Sequence, residues 1–170
     1  MMSTEMRPFI HELLGIQDDL RRFALRLTAN SDEAADLTQE TTLRALTNED
    51  RYEPQTNFKG WLFTIMRNIF INDYRREVRE QTFADTTDGL YYLSRPKDLA
   101  VDTTEVGIDH KEIHRIMNLL PRTFRIPFMM HVKGYKYREI AEQLGVPLGT
   151  VKSRIFTSRQ WLQRELMDFR

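Results

Sequence analysis

Apolar residues recur at helical spacing along most of this chain. In the first thirty residues Phe9, Leu13, Leu14, Leu20, Phe23, Ala24 and Leu27 form one stripe, broken near Gly15. Ser31-Asp32-Glu33 then offers a polar cap with acids in a first turn, which predicts a second helix through Ala34, Ala35, Leu37, Thr41, Leu43 and Leu46. Residues 47–57, TNEDRYEPQTN, form a polar loop. A long helix is predicted from about Phe58 to Gln81, with Phe58, Leu62, Ile65 and Ile69 as its buried stripe. Periodicity lapses over 83–108, a stretch too long for an unstructured loop inside a compact domain and therefore read as a flexible acidic linker in which YYLS (91–94) could dock. Helices resume from about Ile108 to Leu120, stop at Pro121 and continue to about Lys133. The expected fold is all-α: two small helical domains, 1–82 and 109–170, joined by a linker.

The last part of the chain carries the sharpest local signal. A short helix pattern over Tyr137–Leu144, with Ile140, Ala141 and Leu144 inward, runs into Gly145, which suits a helix end that turns with positive φ. Pro147 cannot extend that helix but can open the next, which starts near Leu148. Two helices joined by a short glycine-containing turn make a helix-turn-helix, a unit that places its second helix in the DNA major groove. At about 100° per residue, Val151, Ile155 and Leu162 share the core face. Gly149, Ser153, Phe156, Thr157 and Gln160 lie opposite, Lys152 and Arg159 flank them, and Arg154 sits beyond the core edge. Short polar groups can bond base edges, an aromatic ring can press on thymine methyls, and the flanking cations can reach phosphates. A solvated surface helix has the same composition, and the motif also occurs in proteins that never touch DNA.

Charge sharpens the picture. The 170-residue chain has a formal net charge of zero, which does not fit a DNA binder, but the charges are segregated. Residues 31–50 carry six acidic side chains against one basic, and residues 133–164 carry seven basic against two acidic. Opposite poles suggest two kinds of partner. A hydrophobic content of 41% permits packed cores, and the absence of cysteine excludes disulfides and thiolate metal sites. MMSTEMRPFI does not resemble a signal peptide, and no run of about 18 apolar residues is present, so a cytoplasmic protein without membrane insertion is expected.

Three segments occur in one order: DEAADLTQETTLRA (32–45), NFKGWLFTIMRNIFINDYRREVRE (57–80) and LPRTFRIPFMMHVKGYKYREIAEQLGVPLGTVKSR (120–154). Together they resemble the extracytoplasmic-function group of bacterial sigma factors, of the sigma-seventy family. The first two look like parts of sigma region 2 and the third like part of sigma region 4. The resemblance implies a transcription-initiation factor that binds core RNA polymerase and promoter DNA and is commonly restrained by an anti-sigma factor. It assigns core-polymerase binding to Asp36, Leu37, Gln39, Glu40 and Leu43, although Leu37 and Leu43 could equally pack within their own domain. It assigns the minus-ten element to the long helix and the loop before it, with Trp61, Arg67, Asn68, Asn72, Arg75, Arg76 and Arg79 as candidates. Opening DNA requires a place for an unstacked base, polar groups to read it and cations along the backbone. Asn68 matches a position lining the pocket for the flipped base. Trp61 offers a stacking platform, although a core tryptophan is the simpler reading; Phe63, Met66 and Phe70 also read as core. The minus-thirty-five element falls to Thr150, Lys152, Ser153, Arg154, Phe156, Thr157 and Arg159. Many members carry Arg where this chain has Thr157, and Arg is the usual reader of guanine, so the resemblance does not fix the base preference at that step.

No enzymatic motif emerges, and no cofactor is expected. His110 and His114 stand four apart, as zinc ligands can, but the HKEIH segment lacks the acid position of a metalloprotease and no third ligand is evident. The main alternative function is a helix-turn-helix regulator acting without polymerase core binding. A regulator-binding protein that has lost DNA contact is a third class.

Overall fold

In a computed structural model the described residues are 7–84 and 110–167, and among them the fold is all-α. The helices are α1 (Pro8–Gly15), α2 (Gln17–Thr28), α3 (Ser31–Thr47), α4 (Phe58–Ala84), α5 (His110–Leu119), α6 (Arg122–Val132), α7 (Tyr137–Leu144) and α8 (Leu148–Met167). The YYLS segment and the linker from 85 onward lie outside the described residues, as do the side chains of His110 and His114. The chain divides into two compact units, Met1–Asp73 and Tyr74–Arg170. That division falls within α4, not after residue 82 as expected. Its physical basis is that Tyr74 and Gln81 bond Thr123 and Arg154 within the second unit.

In the first unit α2 packs along α3. The cap of α3 is Asn30, one residue earlier than expected: its side-chain oxygen accepts from the backbone N–H groups of Asp32 and Glu33, both at 3.0 Å. Leu13, Leu20, Ala24, Ala34, Leu37, Leu62, Met66, Ile69 and Phe70 fill the core. Three threonines sit among them, and each hides its hydroxyl by donating to a carbonyl one turn back, Thr28 to Ala24, Thr38 to Ala34 and Thr41 to Leu37. On α4 the buried stripe runs through Met66 and Phe70 as well as Phe58, Leu62 and Ile69, and Ile65 is only half-buried. Phe63 is half-buried too, stacked on Phe23 with ring centroids 4.2 Å apart.

The second unit is built around α8, against which α5, α6 and α7 pack. The helix-turn-helix occurs as predicted, with α7 ending at Gly145 in the left-handed conformation (φ 63°, ψ 40°). Ile116, Met117, Leu120, Ile126, Ile140, Leu144, Val151 and Ile155 make the core.

Pro127 lies inside α6 and has no N–H to give the carbonyl of Thr123, four residues earlier. Buried carbonyls left without a donor are costly. Here the phenol of Tyr74 donates to the Thr123 carbonyl at 2.8 Å, and Tyr74 is itself buried. Gln81, two turns further along α4, accepts from the Thr123 hydroxyl at 2.7 Å and from Arg154 Nη1 at 3.1 Å. Glu77 pairs with Arg122 at 3.4 Å.

Two predictions follow from this arrangement. Tyr74→Phe should lower the unfolding free energy of the full chain by about 1–3 kcal/mol, the cost of an orphaned buried carbonyl. Restoring the helical donor with Pro127→Ala should recover much of that loss, so urea unfolding of the two single variants and the double variant should show strong non-additivity. Burial also pushes the Tyr74 phenol well above the usual tyrosine range. A phenol whose folded-state pKa is raised contributes its stability below the unfolded value near 10 and loses it as pH climbs beyond that value. Alkaline unfolding of the wild type should therefore show a limb above about pH 10 that Tyr74→Phe diminishes.

Candidate nucleic-acid interface

On α8 the exposed stripe is Gly149, Lys152, Phe156 and Arg159, with Phe156 46% exposed. Thr150, Ser153, Thr157 and Gln160 are half-buried on its flank, and the Ser153 hydroxyl donates to the Thr150 carbonyl at 3.0 Å. The sequence pattern puts Ser153, Thr157 and Gln160 on this face with Lys152 and Arg159 as its flanks, whereas the structure exposes Lys152 and Arg159 and half-buries the other three. The difference arises because the inner side includes polar residues. Arg154 is only 8% exposed, and Ser158 is fully buried, donating to the carbonyls of Arg154 (2.8 Å) and Phe124 (3.1 Å). Arg154 lies inward, its guanidinium over the Phe124 ring at 4.2 Å and bonded to Gln81. Leu162, expected in the core, is half-buried.

Arg159 Nη2 lies 2.9 Å from Nε2 of His131 on α6. A guanidinium has only donors, so this is a hydrogen bond when Nε2 is the unprotonated ring nitrogen. The His131 ring also meets Tyr137 of α7 at 4.9 Å. Arg159 is thereby held from α6 while remaining exposed.

On α4 the residues Arg67, Asn68, Asn72, Arg75, Arg76 and Arg79 are all exposed. Helical register aligns Trp61, Asn68, Asn72, Arg75 and Arg79 on one face. Arg67, Asn68 and Asn72 belong to the first compact unit, and Arg75, Arg76 and Arg79 to the second. Trp61 is half-buried at the edge of an aromatic cluster, 5.2 Å from Tyr52 and 6.1 Å from both Phe9 and Phe58. The cluster abuts the loop before α4, where Asn57 caps the helix by accepting from the Gly60 N–H at 3.0 Å. A Cβ at Gly60 would crowd that cap. Tyr52, whose hydroxyl donates to the Thr56 carbonyl, is a contributor the sequence reading passed over, since an isolated loop tyrosine has no period to reveal it.

On α3 the residues Asp36, Gln39 and Leu43 are exposed and Glu40 is half-buried. They stand at i, i+3, i+4 and i+7 and so share a face. Leu43 is 56% exposed, whereas Leu37 is 7% exposed and belongs to the core of its own unit. Glu40 is paired with Arg44 at 2.9 Å.

The contrast between inward and outward residues of α8 is open to direct test. Arg154→Ala should cost about 2 kcal/mol of stability or more, since it empties a stacked, hydrogen-bonded buried site. Lys152→Ala and Phe156→Ala should each stay within about 0.5 kcal/mol of wild type. Chemical denaturation of the full chain distinguishes these outcomes, and a harmless Arg154→Ala would refute the inward role.

Residues 16–80 match the family model described as Sigma-70 region 2, and residues 110–162 match that described as Sigma-70, region 4. The chain is 36% identical over 152 residues to the ECF RNA polymerase sigma factor EcfG of Rhodopseudomonas palustris, covering 89% of this chain and 81% of the relative. It is 34% identical over 149 residues to the ECF RNA polymerase sigma factor SigE of Mycolicibacterium smegmatis, covering 86% of this chain and 56% of the relative. Among solved structures it is similar to the sigma factor RpoE in complex with the anti-sigma factor NepR from Bartonella quintana, at 32% identity, with 95% of this chain and 98% of that chain covered and a TM-score of 0.44. On these matches the chain belongs to the extracytoplasmic-function group of sigma-70 RNA polymerase sigma factors.

Proposed function

We propose that this sigma factor, which binds core RNA polymerase and directs promoter recognition, divides that work among three surfaces. Asp36, Gln39, Glu40 and Leu43 on α3 dock on core polymerase. Carboxylates and an amide beside an exposed leucine suit a basic helical partner with an apolar anchor point. Trp61 and the Arg67, Asn68, Asn72, Arg75, Arg76 and Arg79 set on α4 handle the minus-ten element: the asparagines bond an unstacked base and the arginines follow the backbone. Lys152, Phe156 and Arg159 lead the minus-thirty-five contact, with Ser153, Thr150 and Thr157 at their flank. The observation that carries this reading is the exposed Lys152–Phe156–Arg159 stripe on the second helix of a helix-turn-helix. It combines phosphate-seeking cations with a ring suited to thymine methyls. The reading includes no catalytic step and no cofactor, a cytoplasmic site of action, and restraint by an anti-sigma factor such as the one bound to its structural relative.

Leu37 and Arg154 enter this account differently from the rest. Both are buried, and both act here by holding the surfaces from within.

Transcription in vitro with core polymerase on a promoter library tests the reading. Asp36→Arg with Glu40→Arg should raise the concentration of this chain needed to compete for core enzyme by about ten-fold or more, with the helical circular dichroism unchanged. Lys152→Ala should weaken promoter binding across sequences and flatten the salt slope by about one unit. Phe156→Ala should alter upstream preference and leave downstream preference alone. If the full chain selects the same sites from random DNA with and without core enzyme, the alternative of a polymerase-independent regulator replaces this reading.

A further inference from the structure

The last turns of α4 are committed to the helix-turn-helix by side-chain chemistry, and the first requirement comes from Pro127. Because Pro127 frees the Thr123 carbonyl inside α6, that carbonyl needs an outside donor, and Tyr74 supplies it at 2.8 Å. Gln81 uses its single side-chain oxygen twice, accepting from the Thr123 hydroxyl and from Arg154 on α8. Arg75 Nε donates to the carbonyl of Leu144, the last residue of α7, at 3.3 Å. Its guanidinium lies so close over Gly145 that a Cβ there would collide with it. Gly145 is therefore needed twice, for its left-handed backbone and for the absence of a side chain beneath Arg75.

Three separate residues of α4 thus grip α6, α7 and α8. Arg75 is a member of the exposed Asn68–Asn72–Arg75–Arg79 face. A guanidinium aimed at a helix-end carbonyl is not aimed at a phosphate. Tyr74 and Val78 are buried only while this segment stays in place.

We propose that Tyr74–Gln81 is an intramolecular clasp on the helix-turn-helix, so that the second unit has a closed state, described here, in which Arg75 is withheld from DNA. An open state frees Arg75 and leaves the Thr123 carbonyl to water. This rests on the reading of α4 as a promoter-binding helix. The segment that occupies the α6–α7–α8 surface is the chain's own, and promoter DNA competes with that surface for Arg75. Apparent promoter affinity is then the intrinsic affinity reduced by the fraction of open molecules.

Gln81 provides a test in two directions, because it lies outside the proposed DNA face. Gln81→Ala removes an acceptor shared by Thr123 and Arg154 and loosens the clasp. Gln81→Glu keeps both acceptor roles and adds a charge beside Arg154, which tightens it. Both variants are made in the full chain. The first measurement is backbone amide hydrogen exchange over 74–84 and 144–154 in the free protein. The second is the concentration of chain giving half-maximal transcription with core polymerase. Exchange should quicken in Gln81→Ala and slow in Gln81→Glu. The half-maximal concentration should fall about five-fold in the first and rise about five-fold in the second, the scale of one net hydrogen bond. If both variants impair transcription, or if Gln81→Ala alone impairs it, the contact is a structural support and the clasp is overturned. If no form of the chain directs transcription, the promoter reading has failed; the exchange data then decide the clasp alone, and unchanged exchange in both variants removes it.

Discussion

The hydrogen bond from Tyr74 to the Thr123 carbonyl is the constraint on which the second unit depends. It exists because Pro127 interrupts the hydrogen-bond ladder of α6 at one carbonyl and nowhere else. A proline inside a helix usually weakens it. Here the break becomes a receptor for a phenol from α4, and the buried surroundings that raise the phenol's pKa also strengthen the bond. The neighbouring Gln81 then has a fixed position from which to reach both Thr123 and Arg154. Arg154 in turn places its guanidinium over the Phe124 ring, 4.2 Å from the centroid, and so ties α8 to α6. A missing amide on one helix is thus linked through Tyr74, Gln81 and Arg154 to the helix that carries the exposed stripe.

This chain of support explains why the basic residues of α8 are not equivalent. Lys152 and Arg159 keep their charges in water, and Arg159 is braced by His131. Arg154 has traded solvent for Phe124 and Gln81, a trade possible because guanidinium stacks well and is weakly hydrated. Lysine could not make it at equal cost, since an ammonium is compact and strongly hydrated. The seven-to-two excess of basic charge over residues 133–164 therefore overstates the charge available at the surface. On α3 the reverse holds: Asp36 stands exposed, and Glu40 is only partly offset by Arg44.

Much of this was legible in the residues, for a physical reason. Helical spacing of apolar side chains is a local signal, so α3, α4 and the α7–α8 pair emerge from the chain nearly in place, down to Gly145 as the turn. The misses share a cause. An angular reading puts Arg154 beyond the core edge because it ranks residues by hydropathy and cannot foresee an aromatic ring from α6 beneath a guanidinium. Periodicity leaves Leu37 open between core and partner, and of the three leucines of α3 it is the inward one, because only tertiary packing distinguishes leucines on one helix. Ser31 looked like the cap of α3, but Asn30 just before it makes both bonds to the first-turn amides. Tyr74 escaped notice because its partner is a backbone carbonyl, exposed to bonding only by a proline 53 positions along the chain.

The clasp also has a definite electrostatic character. Arg75 is held by a carbonyl at the C-terminal end of α7, where the helix dipole presents roughly half a negative charge. A DNA phosphate presents a full one. In dilute salt the phosphate is the stronger acceptor for Arg75, and its pull is resisted by the bonds of Tyr74 and Gln81 together with the Glu77–Arg122 pair. Added salt screens the phosphate and restores counterions to the DNA, but acts little on a short contact to a helix end. Ionic strength therefore shifts the balance toward the closed form, beyond its ordinary weakening of DNA binding. The contacts of Tyr74 and Gln81 hold the resting state, and the competition between phosphate and helix-end carbonyl for Arg75 decides when it yields.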